Sequence, residues 1–156
     1  MDILNDEISD LEENFDIVVC VNTLEHLEDD LLAVERMKKM LEPNGNLIIV
    51  VPALQKLYCY MDKNVGHYRR YKKGQLNVLA QKNGMEIVYN RYFNLPGVFP
   101  YYIKGKFGKN RGGSFSSDID ENKGKLISMA SVIVESIEKL IPPLFGISEI
   151  MVLRKR

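Results

Sequence analysis

Residues 15–30 read FDIVVCVNTLEHLEDD. Ile17, Val18, Val19, Cys20 and Val21 form an apolar, mostly β-branched run that ends at the polar pair Asn22 and Thr23. Leu24, Glu25, His26 and Leu27 follow, and then the acidic cluster Glu28, Asp29 and Asp30. A short β-branched run bounded by turn residues reads as a buried parallel strand. The loop after it leaves the strand's carboxyl end, the edge at which open α/β sheets bind ligands. A ligand of this chain is expected there.

The pattern extends in both directions. Asp29 or Asp30 can cap a helix in which Leu31, Leu32, Val34, Met37, Met40 and Leu41 recur at helical spacing. Glu35, Arg36, Lys38 and Lys39 fall on its other side, and the order of charges suits the helix dipole. Glu42, Pro43, Asn44 and Gly45 read as a turn, and NLIIVV at 46–51 as a second apolar strand closed by Pro52. Strand, helix and strand in this space form a βαβ unit with parallel strands and a right-handed crossover. Residues 53–71, ALQKLYCYMDKNVGHYRRY, leave the carboxyl end of the second strand and belong to the same edge. A helix is expected over 73–82, stopped by Asn83 and Gly84, then a strand over 85–93. Residues 94–117, with Pro96, Pro100, several glycines and aromatics at 99, 101, 102 and 107, read as a loop insertion. An amphipathic helix is expected over 119–141 and a last strand over 148–154; residues 1–14 are an acidic lead-in.

The 156 residues suit one domain, with 46% apolar and 27% charged residues. Zero formal net charge gives no reason to expect nucleic acid. The distribution is uneven: residues 1–30 hold eleven acids and no Lys or Arg, whereas 101–113 hold Lys104, Lys106, Lys109 and Arg111 and no acid. Cys20 and Cys59 are too few for a disulfide framework, which makes a reducing cytoplasm the default, and Cys20 reads as core. The start lacks the basic and apolar regions of a signal peptide. No apolar run approaches the roughly 20 residues of a membrane span.

Several strings in this order resemble class I S-adenosylmethionine-dependent methyltransferases. FDIVVCVNTLEHLEDD is similar to that family's fourth strand and following loop, and LEPNGNLIIVVPA to its fifth-strand segment, with Asn44 in place of a glycine. GHYRRYKKGQL followed by KNGMEI is similar to a subgroup pattern of Gly-His-x-Arg-x-Tyr before the sixth strand. Asn94-Leu95-Pro96-Gly97 and Gly146-Ile147-Ser148 fit the same subgroup. The resemblance implies a Rossmann-like α/β half-sheet with strands in the family order 4-5-7-6, the last strand antiparallel and helices on both faces. It also implies a single partial domain over 1–156, the C-terminal half of a methyltransferase, carrying the insertion at 94–117.

The family's Gly-rich turn and ribose-binding carboxylate have no counterpart here, and the first glycine is Gly45. The resemblance therefore implies weak or absent S-adenosylmethionine binding by this chain alone. It leaves the strand at 15–22 as an apolar edge, a hazard for self-association. Asp2, Asn22, Thr23, Glu25 and His26 are the implied cofactor contacts. His26 and His67 are the candidate proton acceptors, since histidine titrates near neutrality. Methyl transfer runs largely by positioning, which favours a lining or structural part for His26. Tyr68, Arg69 and Arg70 are candidates for holding the acceptor, the arginines as forks for an anion. Two histidines without metal-ligand spacing imply no metal.

The implied function is methyl transfer, in the intact protein, to a small-molecule or glycan- or lipid-linked acceptor. Residues 99–111 are a candidate for peripheral membrane contact. The alternative is a non-catalytic remnant or interaction module that survives by oligomerising.

Overall fold

The computed structural model describes residues 3–107 and 143–156. The helix expected over 119–141 lies outside them, as do Asp2 and residues 108–117 of the insertion. Strand β1 (Phe15–Val21) leads through a helical turn at Leu24–His26 into helix α1 (Asp30–Met40) and strand β2 (Leu41–Pro52). Helices α2 (Tyr60–Asn64) and α3 (Gln75–Lys82), strand β3 (Glu86–Phe93), helix α4 (Val98–Phe107) and strand β4 (Ser148–Arg154) follow. The sheet order is β1-β2-β4-β3, with β1 and β2 parallel and β4 antiparallel to both its neighbours. This is the 4-5-7-6 arrangement expected from the sequence.

Local chemistry sets the boundaries. The Asp29 side chain accepts from the Leu32 amide at 2.9 Å and caps α1, which buries Ala33, Val34, Met37 and Met40. The turn expected between α1 and the next strand is drawn into β2. Its backbone pairs from Leu41, and the register with β1 jumps between Phe15 and Ile17 to absorb the extra residues. Asn44 takes φ +68, and a Cβ at Gly45 would lie 3.0–3.1 Å from three carbonyl oxygens, so a larger residue would crowd the backbone at this crossing.

Cys20, Leu47, Ile49, Val51, Met151 and Leu153 line the buried face of the sheet, packed with Val34, Met37, Leu76, Leu79 and Ala80 from α1 and α3. Burial also pushes the Cys20 thiol up to about 11, with the Glu25 charge adding to the shift, so it remains an inert thiol. The opposite face is apolar but only half covered. Ile17, Val19 and Val21 are 55%, 59% and 49% exposed there, and β1 has no partner beyond β2 among the described residues.

The reading of 94–117 as loop is corrected over its first part. Asn94 takes φ +58 and accepts from the Gly97 amide at 3.1 Å, and α4 then begins directly at Val98. Pro96 and Pro100 were read as breakers, yet both stand near helix starts, where a proline's missing N–H costs nothing.

Glu149 lies on the buried face of β4, fully enclosed, opposite Val51 and Tyr92. Burial raises its pKa above the ordinary carboxyl value, and Asn90 and Tyr92 offset only part of that. A raised carboxyl binds its proton more tightly in the folded state, so its stability contribution is largest at acid pH and is lost as pH rises through the folded pKa. E149Q is expected to stabilise the fold at pH 7 by about 1–3 kcal/mol. The gain should shrink as pH falls towards the ordinary carboxyl range. Urea denaturation at several pH values measures it, and a pH-independent difference would contradict the assignment.

Candidate functional site

Because β1 and β2 run parallel, both release their following loops at the same sheet edge. The two loops are stitched together there. The Tyr68 amide donates to the Glu25 carbonyl at 2.8 Å, the Tyr71 amide donates to the Pro52 carbonyl at 2.9 Å, and Ala53 pairs with Tyr71 as an isolated bridge. Tyr71 is buried beneath them, its hydroxyl 3.1 Å from an Asp30 carboxylate oxygen. Burial, followed by the Asp30 charge, raises its pKa, which keeps it a neutral donor.

Asn22 turns the chain out of β1 at φ +46, and its amide still donates to Val50 at 2.9 Å. Left-handed backbone suits asparagine. Asn22 and Thr23 are exposed, with the Thr23 hydroxyl donating to the Val21 carbonyl at 3.0 Å. The helical turn that follows buries Glu25, 1% exposed, and leaves His26 at the surface. Both Glu25 carboxylate oxygens are buried without a hydrogen-bond partner. Burial raises the Glu25 pKa, and its own backbone amide, followed by nearby His67, His26 and Arg70, offsets only part of the effect. The His26 and His67 rings meet edge to face with centroids 4.6 Å apart, and His67 Nε2 lies 3.7 Å from Glu25 Oε1.

On its other side His67 meets Asp62, which the sequence reading did not single out. Asp62 is fully buried and accepts from the Cys59 amide at 2.9 Å, the Arg70 Nε at 2.8 Å and the Tyr101 hydroxyl at 2.9 Å, with His67 Nδ1 at 3.1 Å. Burial alone would raise its pKa. The Cys59 amide, Tyr101, Arg70 and His67 outweigh burial and hold it below the ordinary range. The one signal in the sequence was a lone acid in a segment otherwise rich in tyrosine and cations.

The structure thus gathers His26, Glu25 and His67 into one group, with Asn22 and Thr23 beside them on the same edge. Arg70 is sited differently from an acceptor fork. It is 4% exposed, donates to Asp62 and to the Ala53 carbonyl at 3.1 Å, and stacks its guanidinium 4.1 Å from the Tyr101 ring centroid. Arg69 pairs with Asp30 at 2.9 Å and donates to the Glu28 carbonyl at 2.6 Å. Tyr68 is 56% exposed. Among Tyr68, Arg69 and Arg70, the first two reach the surface of the loop, while Arg70 holds it together from inside.

Removing one partner of a buried ion pair strands the other charge. D62N is therefore expected to cost about 3 kcal/mol of stability by urea denaturation, through the unpaired Arg70. Y68A should lie within about 0.5 kcal/mol of the parent chain. Equal effects of the two substitutions would remove Asp62 from the centre of this network.

Comparison with known proteins agrees with the geometry. A family model described as methyltransferase domain matches residues 2–90. No curated protein matches the chain. Among solved structures, a Bacillus halodurans protein assigned as a methyltransferase is 16% identical, with a TM-score of 0.58 over 99% of this chain and 69% of its own. Haemonchus contortus phosphoethanolamine N-methyltransferase 2, solved with S-adenosyl-L-methionine, is 14% identical, with a TM-score of 0.53 over 99% of this chain and 36% of its own. The cyclase SpnF is 16% identical, with a TM-score of 0.55 over 99% of this chain and 54% of its own. The chain thus spans only part of the length of these relatives, and identities this low speak for the fold alone. With the family model covering more than half of the chain and the sheet in its 4-5-7-6 order, the chain belongs to the methyltransferase-domain family.

Proposed function

We propose that the intact protein transfers a methyl group from S-adenosylmethionine to a small-molecule or glycan- or lipid-linked acceptor, and that this chain supplies the C-terminal part of the site. The observation that carries the reading is the shared carboxyl edge of β1 and β2, where Asn22, Thr23, Glu25 and His26 meet the loop bearing His67 and Tyr68. The residues fit one side of the cofactor. Two exposed polar groups end the strand, and a buried carboxylate with unpartnered oxygens lies behind them, suited to a positive centre. When bound, the cofactor supplies an electrophilic methyl on a sulfonium.

This chain's residues then position and deprotonate. Asn22 and Thr23 contact the cofactor, with Asp2 as a further proposed contact, and Glu25 offers negative charge near the sulfonium. His26 and His67 are the proposed proton acceptors, a reading supported by the contact that holds the His67 ring to Asp62. Tyr68 and Arg69 contact the acceptor, and Arg70 acts on the site through Asp62. The exposed Phe99 and Tyr102 of α4, with Lys104 and Lys106, form the proposed peripheral membrane contact. The cytoplasm is the proposed location, and no described helix is long and apolar enough to cross a membrane.

No G-x-G-x-G turn occurs in these 156 residues. The chain alone is therefore expected to be inactive and to bind the cofactor weakly or not at all. Calorimetric titration with S-adenosylhomocysteine, in the presence of a chelator, tests this. Micromolar binding by the chain alone would overturn it.

The exposed β1 edge favours a second reading, that the chain self-associates through Ile17, Val19 and Val21. Light scattering across a dilution series should show concentration-dependent size that V19K reduces. A monomer at all concentrations rules out this association.

A further inference from the structure

We propose that Glu25, His26 and His67 form a binding site for a divalent first-row transition-metal ion, with zinc as the best fit. Each residue offers one ligand atom, and these atoms all lie within 4.8 Å of one another. The inference concerns binding by this chain and stands independently of methyl transfer.

The first argument is an unsolved electrostatic problem. The Glu25 carboxylate is enclosed, and neither oxygen has a hydrogen-bond partner among the described residues. A buried carboxylate without a partner is costly and calls for a proton or a cation. Arg70 does not fill that place, because it is committed to Asp62, to the Ala53 carbonyl and to the face of Tyr101.

The second argument is the tautomer of His67. The hydrogen bond between Nδ1 and the Asp62 carboxylate assigns the proton to Nδ1. Nε2 then presents its lone pair towards Glu25 Oε1 at 3.7 Å. Two groups with lone pairs face each other there, and a proton or a shared cation between them resolves the contact. Ligands of a tetrahedral zinc ion stand about 3.4 Å apart, so a small side-chain adjustment closes the pair on an ion.

The third argument is the support around the ligands. A carboxylate that holds the far nitrogen of a metal-binding histidine fixes its ring and raises its basicity. Asp62 fixes the His67 ring in this way, and is itself held by Cys59, Arg70 and Tyr101. His26 completes the set from the surface. Its ring packs on His67, and its Nδ1 would lie 3.8 Å from a Cβ at Gly66, so it sits close against that turn. Two imidazoles and one carboxylate suit zinc and its first-row neighbours, whereas magnesium and calcium take oxygen ligands. Three protein ligands leave one position open to water or another small oxygen ligand.

The sequence reading expected no metal because the spacing of the two histidines fits no helical motif. The third ligand instead arrives from another loop, through the pairing of Glu25 with Tyr68. A histidine that ligates an ion is not available as a proton acceptor at the same moment, so an occupied site would withhold both His26 and His67 from proton transfer.

The full chain, stripped with chelator, is titrated with zinc chloride and with cobalt(II) chloride, without cofactor. One ion per chain, micromolar or tighter, with visible cobalt bands of low coordination number, is expected. H26A, altered at an exposed position and checked for folding by circular dichroism, should bind at least about tenfold more weakly, and E25Q likewise. No stoichiometric binding at submillimolar ion, or H26A and E25Q each binding as tightly as the parent chain, overturns the site. Failure here leaves the S-adenosylhomocysteine result unaffected.

Discussion

Asp62 is the point at which the loops at the sheet's carboxyl edge are fixed. It is a fully buried carboxylate that gathers the Cys59 amide, Arg70, His67 and Tyr101 around two oxygens. A buried charge is tolerable only when it is paired and hydrogen-bonded, and here both conditions are met. The result ties three segments together: the start of α2, the loop that carries His67 and Arg70, and helix α4 through Tyr101. The ring of His67 has one orientation because its Nδ1 has one partner, and that orientation aims Nε2 at Glu25.

The contrast between Asp62 and Glu25 illustrates how environment decides the chemistry of one functional group. Both are carboxylates buried to near completion within the same cluster. Asp62 is lowered because its donors outweigh burial, and it behaves as a permanent anion. Glu25 is raised because burial outweighs its own backbone amide and the cations around it, which leaves it available for a proton or a cation. The first, in α2, is a structural group, and the second, in the helical turn after β1, is the one with open chemistry.

The sheet contributes position more than chemistry. Parallel pairing of β1 with β2 brings two loops about 40 residues apart in the chain to one edge, and α1 is the crossover that makes this possible. One face of the sheet is packed by α1 and α3, and the other presents Ile17, Val19 and Val21 to solvent. The same fold occurs in a methyltransferase and in a cyclase, so the fold by itself leaves the reaction open. The side chains at the edge carry the functional argument.

Most of the fold was legible in the sequence, because it rests on local signals. The β-branched run at 17–21, the cap at Asp29, the spacing of Val34, Met37 and Met40 and the run at 46–51 each report on nearby residues. Family strings then gave the strand order. Helix α4 was missed because Pro96 and Pro100 read as breakers, when they stand near helix starts. At the site, Asn22, Thr23, Glu25 and His26 could be placed at the edge from the end of β1 alone. The sequence by itself could not distinguish Arg69 from Arg70, since adjacent residues differ only in which way the folded loop turns them. It could not show that Asp62 holds His67, or that His67 meets Glu25 more than 40 residues away. Those relations depend on parallel strand pairing and on burial, which exist only once distant segments are packed together.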